Sequence, residues 1–264
     1  IVYFYFLHIK KKKKLLVVGD LRSYSQLLAV NLFKPEEVLV VDDGTYSLVL
    51  FKSLCSNEFT RSKLKNYLIK KTISNIQNNS RLTFKTIFHD SKNSKMAQKK
   101  GFNIHPNKLN FNKNLKQKIN PTKAIFIGQD LVELKIMKRN NYHQVIKIIY
   151  NRMAKLGIDF YYYPHRAENA NNLKDLSLEI KNCKILERSL PIEDYLLYLD
   201  DLPAHIFTFY STAIYAISRI FVDINCAVLY ADECYINYLD SVETSYDLFK
   251  DDEEVDFESI NIND

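Results

Sequence analysis

The chain has 264 residues, of which 47% are hydrophobic and 26% are charged, a balance that excludes a disordered protein and suits one large or two modest domains. Its 5 glycines are widely spaced, which excludes a Walker A loop and a G-x-G-x-x-G dinucleotide-binding loop. Its 4 cysteines form no C-x-x-C pair, so the sequence predicts neither a zinc ribbon nor a disulfide framework, and a reducing compartment fits best.

Charge is unevenly distributed, although the net charge is only +6. Basic residues crowd positions 10–14 and 92–123, whereas acidic residues crowd positions 240–264. One interpretation is an ordinary solvated surface with a ragged acidic end. The other is a basic face that contacts an anionic partner such as membrane phospholipid or an acidic glycan. Nucleic acid is not expected as a partner, because no known nucleic-acid-binding module accompanies the basic run.

The N-terminus matches neither a secretory signal nor a membrane span. Its apolar start is followed by basic residues, whereas a secretory signal carries basic residues in front. No stretch of about 20 apolar residues occurs, so we expect no transmembrane helix. The chain begins with Ile1 rather than Met, and we therefore expect that its first lobe is incomplete.

The first part of the chain predicts βα units. Residues 15–20 are typical of a short buried strand that ends in a turn, residues 38–41 of a second apolar strand, and helical stretches follow them at 23–33 and 46–55. Strands that alternate with helices in this way form parallel sheets. From about residue 63 to residue 120 the sequence is rich in Lys, Asn and Ser, and we interpret it as helix, loop and linker.

The alternation restarts after this linker. Strands are predicted at 124–127, 158–163, 184–186, 204–209 and 225–230, and helices at 142–156, 192–198 and 211–219. Gly157 fits the C-terminal stop of the first of these helices. The sequence thus predicts an α/β protein of two Rossmann-like lobes, 1–120 and 121–264, the second of which carries the acidic tail. Such sheets bind ligands beyond the carboxyl ends of their strands.

Two polar pairs directly follow predicted strands. Asp42 and Asp43 come after the second strand, where a carboxylate of raised pKa can take a proton from a sugar hydroxyl; the alternative is a plain Asp-Asp-Gly turn. His165 and Arg166 suit a phosphate, to which an imidazolium can also donate a proton; the alternative is a surface loop.

Two predicted helix starts carry further candidates. At Ser211 and Thr212, backbone N–H groups, the helix dipole and two hydroxyls favour an anion; the alternative is simple N-capping. At Glu193, a carboxylate can accept hydrogen bonds from both hydroxyls of a ribose; the alternative is favourable first-turn charge. No set of His, Cys, Asp and Glu has the spacing of a metal site, and neither G-x-S-x-G nor H-E-x-x-H occurs.

Taken in chain order, these signals resemble the motifs of bacterial sialyltransferases, including lipooligosaccharide sialyltransferases and capsular α-2,8-polysialyltransferases. Those families share an acidic-acidic-Gly motif, matched by Asp42-Asp43-Gly44, and a His-Pro motif, matched by His165 in Tyr-Tyr-Pro-His-Arg-Ala-Glu. A later pair of small hydroxyl residues is matched by Ser211-Thr212. Arg166 stands where the motif has proline, and Thr212 stands where serine is common. The literal pair His105-Pro106 lies in the linker with no predicted strand before it, so we set it aside.

The resemblance implies a GT-B fold, with the active site between two Rossmann-like lobes, and catalysis without a metal ion. One acid of Asp42-Asp43 is expected to deprotonate the acceptor hydroxyl, and His165 to act as acid or electrostatic partner at the phosphate of CMP. Ser211-Thr212 and Arg166 are expected to bind that phosphate, and Glu193 the ribose. The first lobe then serves the acceptor and the second lobe the CMP-sugar.

The function implied by the resemblance is inverting transfer of sialic acid from CMP-sialic acid to a bacterial surface glycan, either lipooligosaccharide or capsular polysaccharide. No cofactor is expected beside this donor substrate. The expected location is the cytoplasm, with peripheral contact at the anionic inner face of the membrane. Two alternatives stay open: a GT-B enzyme that uses another nucleotide-sugar donor, and a non-catalytic protein of polysaccharide assembly.

Overall fold

The computed structural model divides the chain into two compact units, Ile1–Lys108 and Leu109–Asp264, and each is described by itself. Both units consist of strands and helices in alternation, which confirms the predicted α/β class. The described residues are 6–9, 13–21, 23–42, 50, 53, 63–79, 81–86, 101–106, 117–181, 183–231, 234–236, 240–250 and 252–262.

The first unit is built on a five-stranded sheet whose strands follow one another in the order β1-β2-β3-β4-β5. Its elements are β1 (Phe6–Ile9), β2 (Lys13–Val18), α1 (Tyr24–Phe33), β3 (Glu37–Val41), α2 (Lys63–Asn79), β4 (Arg81–Thr86) and β5 (Asn103–Pro106). β1 is antiparallel to β2, and the other three pairs are parallel. The helix predicted over 46–55 lies, apart from Leu50 and Ser53, outside the described residues.

The core of the first unit includes the buried faces of β3 and α2. Val38 and Val40 alternate on β3 and are almost completely buried. Ile69, Ile73 and Ile76 recur on α2 at the spacing of one helix face and enter the same core. The sequence missed β4 and β5 and assigned this region to helix, loop and linker. Both strands are short and bracketed by polar residues, so their apolar runs fall below the length that signals a strand.

The second unit is a six-stranded sheet in which every pair of neighbours is parallel. Its elements are β6 (Lys118–Ile127), α3 (Arg139–Lys155), β7 (Asp159–Tyr163), α4 (Ala170–Glu179), β8 (Lys184–Ile185), α5 (Ile192–Leu197), β9 (Asp201–Thr208), α6 (Ala213–Ile220), β10 (Asn225–Tyr230), α7 (Asp240–Lys250) and β11 (Asp256–Ser259). The first strand therefore begins inside the stretch that the sequence assigned to the linker. Gly157 has a φ of +72° and ends α3 as predicted.

The strand order of this sheet is β11-β10-β9-β6-β7-β8. The chain starts at the central strand β6, builds outward through β7 and β8, and then returns to place β9 on the other side of β6. This is the order of a doubly wound Rossmann-type sheet. The direction of winding reverses between β6 and β9, and ligands of such sheets bind in the crevice beyond the strand ends at that point.

The acidic end of the chain is not ragged, which corrects one of the two interpretations of its charge. It forms α7 and β11, and β11 pairs with β10 as the last strand of the sheet. Val242, Tyr246 and Phe249 of α7 are completely buried, while most of the acidic side chains nearby lie at the surface. Arg219 of α6 also forms a 2.6 Å ion pair with Asp252. The crowded acidic residues thus concealed an amphipathic helix and an edge strand.

Candidate functional site

The polar groups of the second unit gather where β6, β7 and β9 end. Gln129, two residues beyond β6, has a side-chain oxygen that accepts hydrogen bonds from the backbone N–H of Tyr210 at 2.9 Å and from the Thr208 hydroxyl at 3.3 Å. The loops after β6 and β9 are therefore joined directly across the reversal point of the sheet. The backbone N–H of Gly128 donates to the carbonyl of Tyr163 at 2.8 Å, which joins the loop after β6 to the end of β7.

His165 lies in the loop after β7 and faces the loop after β6. Its Nδ1 is 3.6 Å from a carboxylate oxygen of Asp130 and accepts a 3.3 Å hydrogen bond from the backbone N–H of Ala167. Burial lowers the pKa of His165 below 6.5, and the charges of Arg188 and Arg166 lower it further, whereas Asp130 opposes them. The imidazole is therefore mostly neutral at pH 7 in the free protein.

Glu168 supports the loop that carries His165. One oxygen of its carboxylate accepts a 2.5 Å hydrogen bond from the Tyr162 hydroxyl, and the other accepts a 2.5 Å hydrogen bond from the backbone N–H of His165. Burial raises the pKa of this carboxyl to about 7, with smaller increases from Glu133 and Asp130, although the two hydrogen bonds lower it. Glu168 therefore titrates near neutrality.

A buried pair of tyrosines lies behind Glu168. The hydroxyls of Tyr142 and Tyr162 are 2.8 Å apart, and the Tyr142 hydroxyl accepts a 2.9 Å hydrogen bond from the backbone N–H of Gln129. Both rings are completely buried, and burial raises both pKa values well above 10. Gly128 makes room for them, because a Cβ at this position would collide with the Tyr162 hydroxyl and with a carboxylate oxygen of Glu168.

Ser211 and Thr212 stand at the N-terminus of α6, which follows β9. The Ser211 hydroxyl accepts a 3.4 Å hydrogen bond from the backbone N–H of Ala213, whereas the Thr212 side chain makes no capping hydrogen bond. The N-capping alternative therefore explains Ser211 only in part and does not explain Thr212. Tyr210 directly precedes this pair and bonds to Gln129, so the start of α6 follows a residue that is bonded to the loop after β6.

Glu193 lies in the first turn of α5, near the end of β7. The Tyr163 hydroxyl donates a 2.6 Å hydrogen bond to the carbonyl of Leu190, and the rings of Tyr163 and Tyr195 are 5.0 Å apart. Burial raises the pKa of Glu193 above 4.5. Glu193 is half-buried and also accepts a hydrogen bond from its own backbone N–H, as expected for first-turn charge, so its ribose-binding role stays a prediction.

Sequence reasoning missed several residues of this edge. Asp130, Glu168 and Arg188 act electrostatically on His165 or its loop, yet none was assigned a role, although Glu168 is the last residue of the segment quoted for the His-Pro motif. Gly128 directly follows the strand predicted at 124–127, and this could have marked the loop that contains Asp130 as part of the strand-end edge. Arg166, a predicted phosphate ligand, is exposed next to His165.

In the first unit, Asp42 directly follows β3 and is partly buried. Asp43 and Gly44 lie outside the described residues. Asp20 follows the neighbouring strand β2, so the described edge of this sheet carries two carboxylates. The premise used to set aside His105-Pro106 was wrong, because this pair forms the end of β5.

Among the residues with a described position, no group of three or more His, Cys, Asp and Glu side chains could hold a metal ion. Within the same residues, no helix is both long and apolar enough to cross a bilayer.

Comparison with known proteins decides the family. The sequence model of the family described as Alpha-2,8-polysialyltransferase (POLYST) matches residues 9–230. The chain belongs to the alpha-2,8-polysialyltransferase family. The match includes all seven predicted site residues and stops at the end of β10, so α7 and β11 lie beyond it. No curated protein sequence matches the chain significantly.

A solved structure shows the same fold. The chain is similar to the crystal structure of an alpha/beta-galactoside alpha-2,3-sialyltransferase from the luminous marine bacterium Photobacterium phosphoreum, with a TM-score of 0.53 and 14% sequence identity. The match covers 93% of this chain and 80% of the other. Family and fold together identify a glycosyltransferase of sialyltransferase type.

Proposed function

We propose that this member of the alpha-2,8-polysialyltransferase family transfers sialic acid from CMP-sialic acid to a bacterial surface glycan, either lipooligosaccharide or capsular polysaccharide. The observation that carries the proposal is the strand-end group of the second unit. There, His165 in the loop after β7 faces Asp130 in the loop after β6, and Gln129 of that second loop bonds to Tyr210, which precedes the helix start at Ser211 and Thr212. An imidazole, two hydroxyls and a helix N-terminus suit a single phosphate of a nucleotide-sugar.

The chemistry needs one proton transfer at each end of the reaction. The acceptor hydroxyl loses its proton to Asp42 or Asp43, and its oxygen attacks the anomeric carbon of sialic acid with inversion. The bond from that carbon to the phosphate oxygen breaks, and CMP leaves with the bonding electron pair. His165 stabilises or protonates the departing phosphate, while Ser211-Thr212 and Arg166 bind it and Glu193 binds the ribose.

A neutral His165 in the free protein is compatible with this role. A bound phosphate places negative charge beside the imidazole and favours its protonated form. The proton would then be present when the leaving group departs, and no metal ion would be required. The GT-B arrangement of the two units remains part of this proposal.

Turnover of CMP-sialic acid with a sialoside or galactoside acceptor tests the proposal. His165→Ala should reduce kcat by about 100-fold or more, in the range measured for general acids. His105→Ala is the matched control, because His105 is an exposed histidine of the first unit. Normal turnover by His165→Ala would contradict the assigned role.

The two alternatives have their own outcomes. A panel of nucleotides in a thermal-shift experiment identifies the donor, because a ligand that binds only the folded state stabilises it. Stabilisation by a uridine or guanosine nucleotide, but not by CMP, would favour a different nucleotide-sugar donor. Stabilisation by CMP without turnover, unchanged in the double variant Asp42→Asn/Asp43→Asn, would favour a non-catalytic protein of polysaccharide assembly.

Peripheral membrane contact is a separate part of the proposal, and α1 and α2 support it. The α1 helix has no charged residue, and its Leu28 and Leu32 are 59% and 66% exposed to solvent. The neighbouring α2 helix carries four lysines and no acidic residue. A 2.8 Å hydrogen bond from Asn31 of α1 to Thr72 of α2 holds the helices side by side. Exposed apolar side chains beside lysines fit an anionic lipid surface.

Co-sedimentation with phosphatidylglycerol vesicles tests this contact, with phosphatidylcholine vesicles as the comparison. The double variants Leu28→Ser/Leu32→Ser and Lys70→Gln/Lys71→Gln should each weaken binding to the anionic vesicles by about 10-fold. Leu178→Ser is the matched control, because Leu178 is an equally exposed leucine of the second unit. Equal binding by all variants, or a stable dimer that Leu28→Ser/Leu32→Ser dissociates, would contradict membrane contact through this surface.

A further inference from the structure

The loop that presents His165 is a four-residue turn that runs from His165 to Glu168. Two hydrogen bonds between these two residues close it. The backbone N–H of Glu168 donates a 3.2 Å hydrogen bond to the carbonyl of His165. The side chain of Glu168 accepts a 2.5 Å hydrogen bond from the backbone N–H of His165. The carboxylate thus binds the backbone of the residue whose side chain faces Asp130. A change in the position of this carboxylate moves the backbone from which the imidazole projects.

The carboxylate itself is fixed from the interior of the unit. Its second oxygen accepts the Tyr162 hydroxyl of β7 at 2.5 Å and lies 3.5 Å from the Tyr142 hydroxyl of α3. The Tyr142 hydroxyl accepts a hydrogen bond from the backbone N–H of Gln129. Gly128 has no side chain, which leaves space for the Tyr162 hydroxyl and the Glu168 carboxylate. A continuous set of hydrogen bonds therefore runs from the loop after β6, through two buried tyrosines, to the turn of His165.

Asp130 belongs to the same loop as Gln129, so both sides of the contact between His165 and Asp130 are held by this network. The side chain of Gln129 also accepts a hydrogen bond from the backbone N–H of Tyr210, the residue before Ser211. Glu168 is the point at which the network reaches the His165 backbone. A misplacement of about 1 Å at a reacting group can cost about 100-fold in rate. The position of the Glu168 carboxylate should therefore affect turnover.

We propose that Glu168 is a positioning residue, whose carboxylate holds the His165 turn so that the imidazole faces the phosphate of the bound donor. This inference rests on the proposed transfer from CMP-sialic acid. Glu168 acts through the backbone of His165 and through Tyr162, and it does not touch the substrate.

Two substitutions at position 168 separate positioning from mere stability. Glu168→Ala removes both acceptor oxygens and should lower kcat by about 100-fold, whereas Glu168→Gln keeps one carbonyl acceptor and should lower it by about 10-fold. The KM for CMP-sialic acid should change less than kcat in both variants, because Ser211 and Thr212 lie outside the turn that Glu168 holds. Glu253→Ala is the matched control, since Glu253 is an exposed acid near the C-terminus.

The rates are expressed per folded site, counted by circular dichroism and CMP titration, so that partial unfolding is not read as slow turnover. Should Glu168→Ala fail to fold, Tyr162→Phe removes one hydrogen bond to Glu168 and keeps the aromatic ring. We expect it to lower kcat by about 5-fold to 10-fold with an unchanged KM.

Unchanged kcat per folded site in Glu168→Ala, or in Tyr162→Phe if that variant replaces it, would overturn the positioning role. A rise in KM at constant kcat would overturn it as well, because it would place Glu168 in donor binding. If the wild-type protein turns over CMP-sialic acid, such a result rejects this inference alone. If the wild type has no turnover, the proposed function and the positioning role that rests on it are both rejected.

Discussion

Burial sets the protonation of the two ionisable residues that matter most at this site, and it acts on them in opposite directions. It lowers the pKa of His165, whose charged form is a cation, and raises the pKa of Glu168, whose charged form is an anion. Both groups therefore approach neutrality in the free protein. A bound phosphate adds the negative charge that would restore the imidazolium.

The titration of His165 should therefore respond to the donor. In the free protein its imidazole should titrate below pH 6.5, and in the complex with CMP its pKa should rise. NMR titration of labelled histidines measures both values, with the missing resonance of His165→Ala as the assignment. An unchanged pKa on CMP binding would mean that the phosphate lies elsewhere.

Glu168 should make stability depend on pH. Its pKa is raised from 4.5 to about 7, so the folded state binds the proton more tightly than the unfolded state. The contribution of this group to the free energy of unfolding should therefore fall by about 3 kcal/mol as pH rises from 4.5 to about 8. Urea unfolding across this range should show a shallower decline in Glu168→Gln than in the wild type; parallel curves would refute the assignment.

Gly128 is required by the close approach of Tyr162 and Glu168. A methyl group at position 128 meets the hydroxyl of one and a carboxylate oxygen of the other, and both atoms are held by hydrogen bonds. Gly128→Ala should therefore cost about 1–3 kcal/mol of the free energy of unfolding. Chemical denaturation checks this, with Gly157→Asn as a milder comparison at an exposed helix end. Equal stability of Gly128→Ala and wild type would show that the network can relax.

At the scale of secondary structure, the strand-end loops rather than the strands carry the candidate chemistry. Parallel strands deliver all of their following loops to one edge, and the reversal of winding between β6 and β9 opens that edge. Gln129 spans the reversal point by accepting from Tyr210 and Thr208. One side chain thus sets the spacing between the loop of Asp130 and the helix start at Ser211.

Replacing Gln129 tests this link. Gln129→Leu leaves the partly buried N–H of Tyr210 without its acceptor and should cost about 1 kcal/mol of the free energy of unfolding. It should also raise the KM for CMP-sialic acid, because the helix start at Ser211 loses its support. Gln129→Glu retains a side-chain acceptor and serves as the comparison. Identical KM values in Gln129→Leu and wild type would show that the loops are set independently.

At the scale of the whole molecule, the second unit depends on a segment beyond the family match. The match ends at residue 230, yet α7 and β11 complete the sheet and contribute Tyr246 and Phe249 to its core. Arg152 of α3 also forms a 2.5 Å ion pair with Glu258 of β11. The acidic end of the chain is therefore part of the structural unit that carries His165.

Truncation after Ala231 should consequently destabilise the second unit. It removes the buried side chains of α7 and exposes the edge of β10, so we expect aggregation or a melting temperature lower by about 10 °C or more. Thermal unfolding with gel filtration measures both effects. The conservative point variant Phe249→Leu should lower stability far less. A truncated chain with wild-type stability would show that the tail is only appended to the sheet.

Local patterns in the sequence were sufficient where an element has a strong signal of its own. The apolar runs of β3 and β10, the amphipathic face of α3 and its glycine stop all appear in the structure near the predicted positions. The sequence also placed His165, Ser211 and Glu193 just after a strand or at a helix start, and the structure has a strand end or a helix start near each of them. Their functional roles stay predictions. The α4 helix, β4 and β5 were missed, since short or polar-bracketed segments owe their structure to their neighbours.

Sequence by itself determined the α/β class, the run of strand-end candidates and, through the order of their motifs, the resemblance to sialyltransferases. Tertiary structure decided which residues meet. The sequence assigned no role to Asp130 or Glu168, and only the return of the chain from β8 to β9 makes Gln129 a link between two loops. The physical reason is that parallel sheet order is fixed by long-range packing, whereas periodicity records only the neighbours of each residue along the chain.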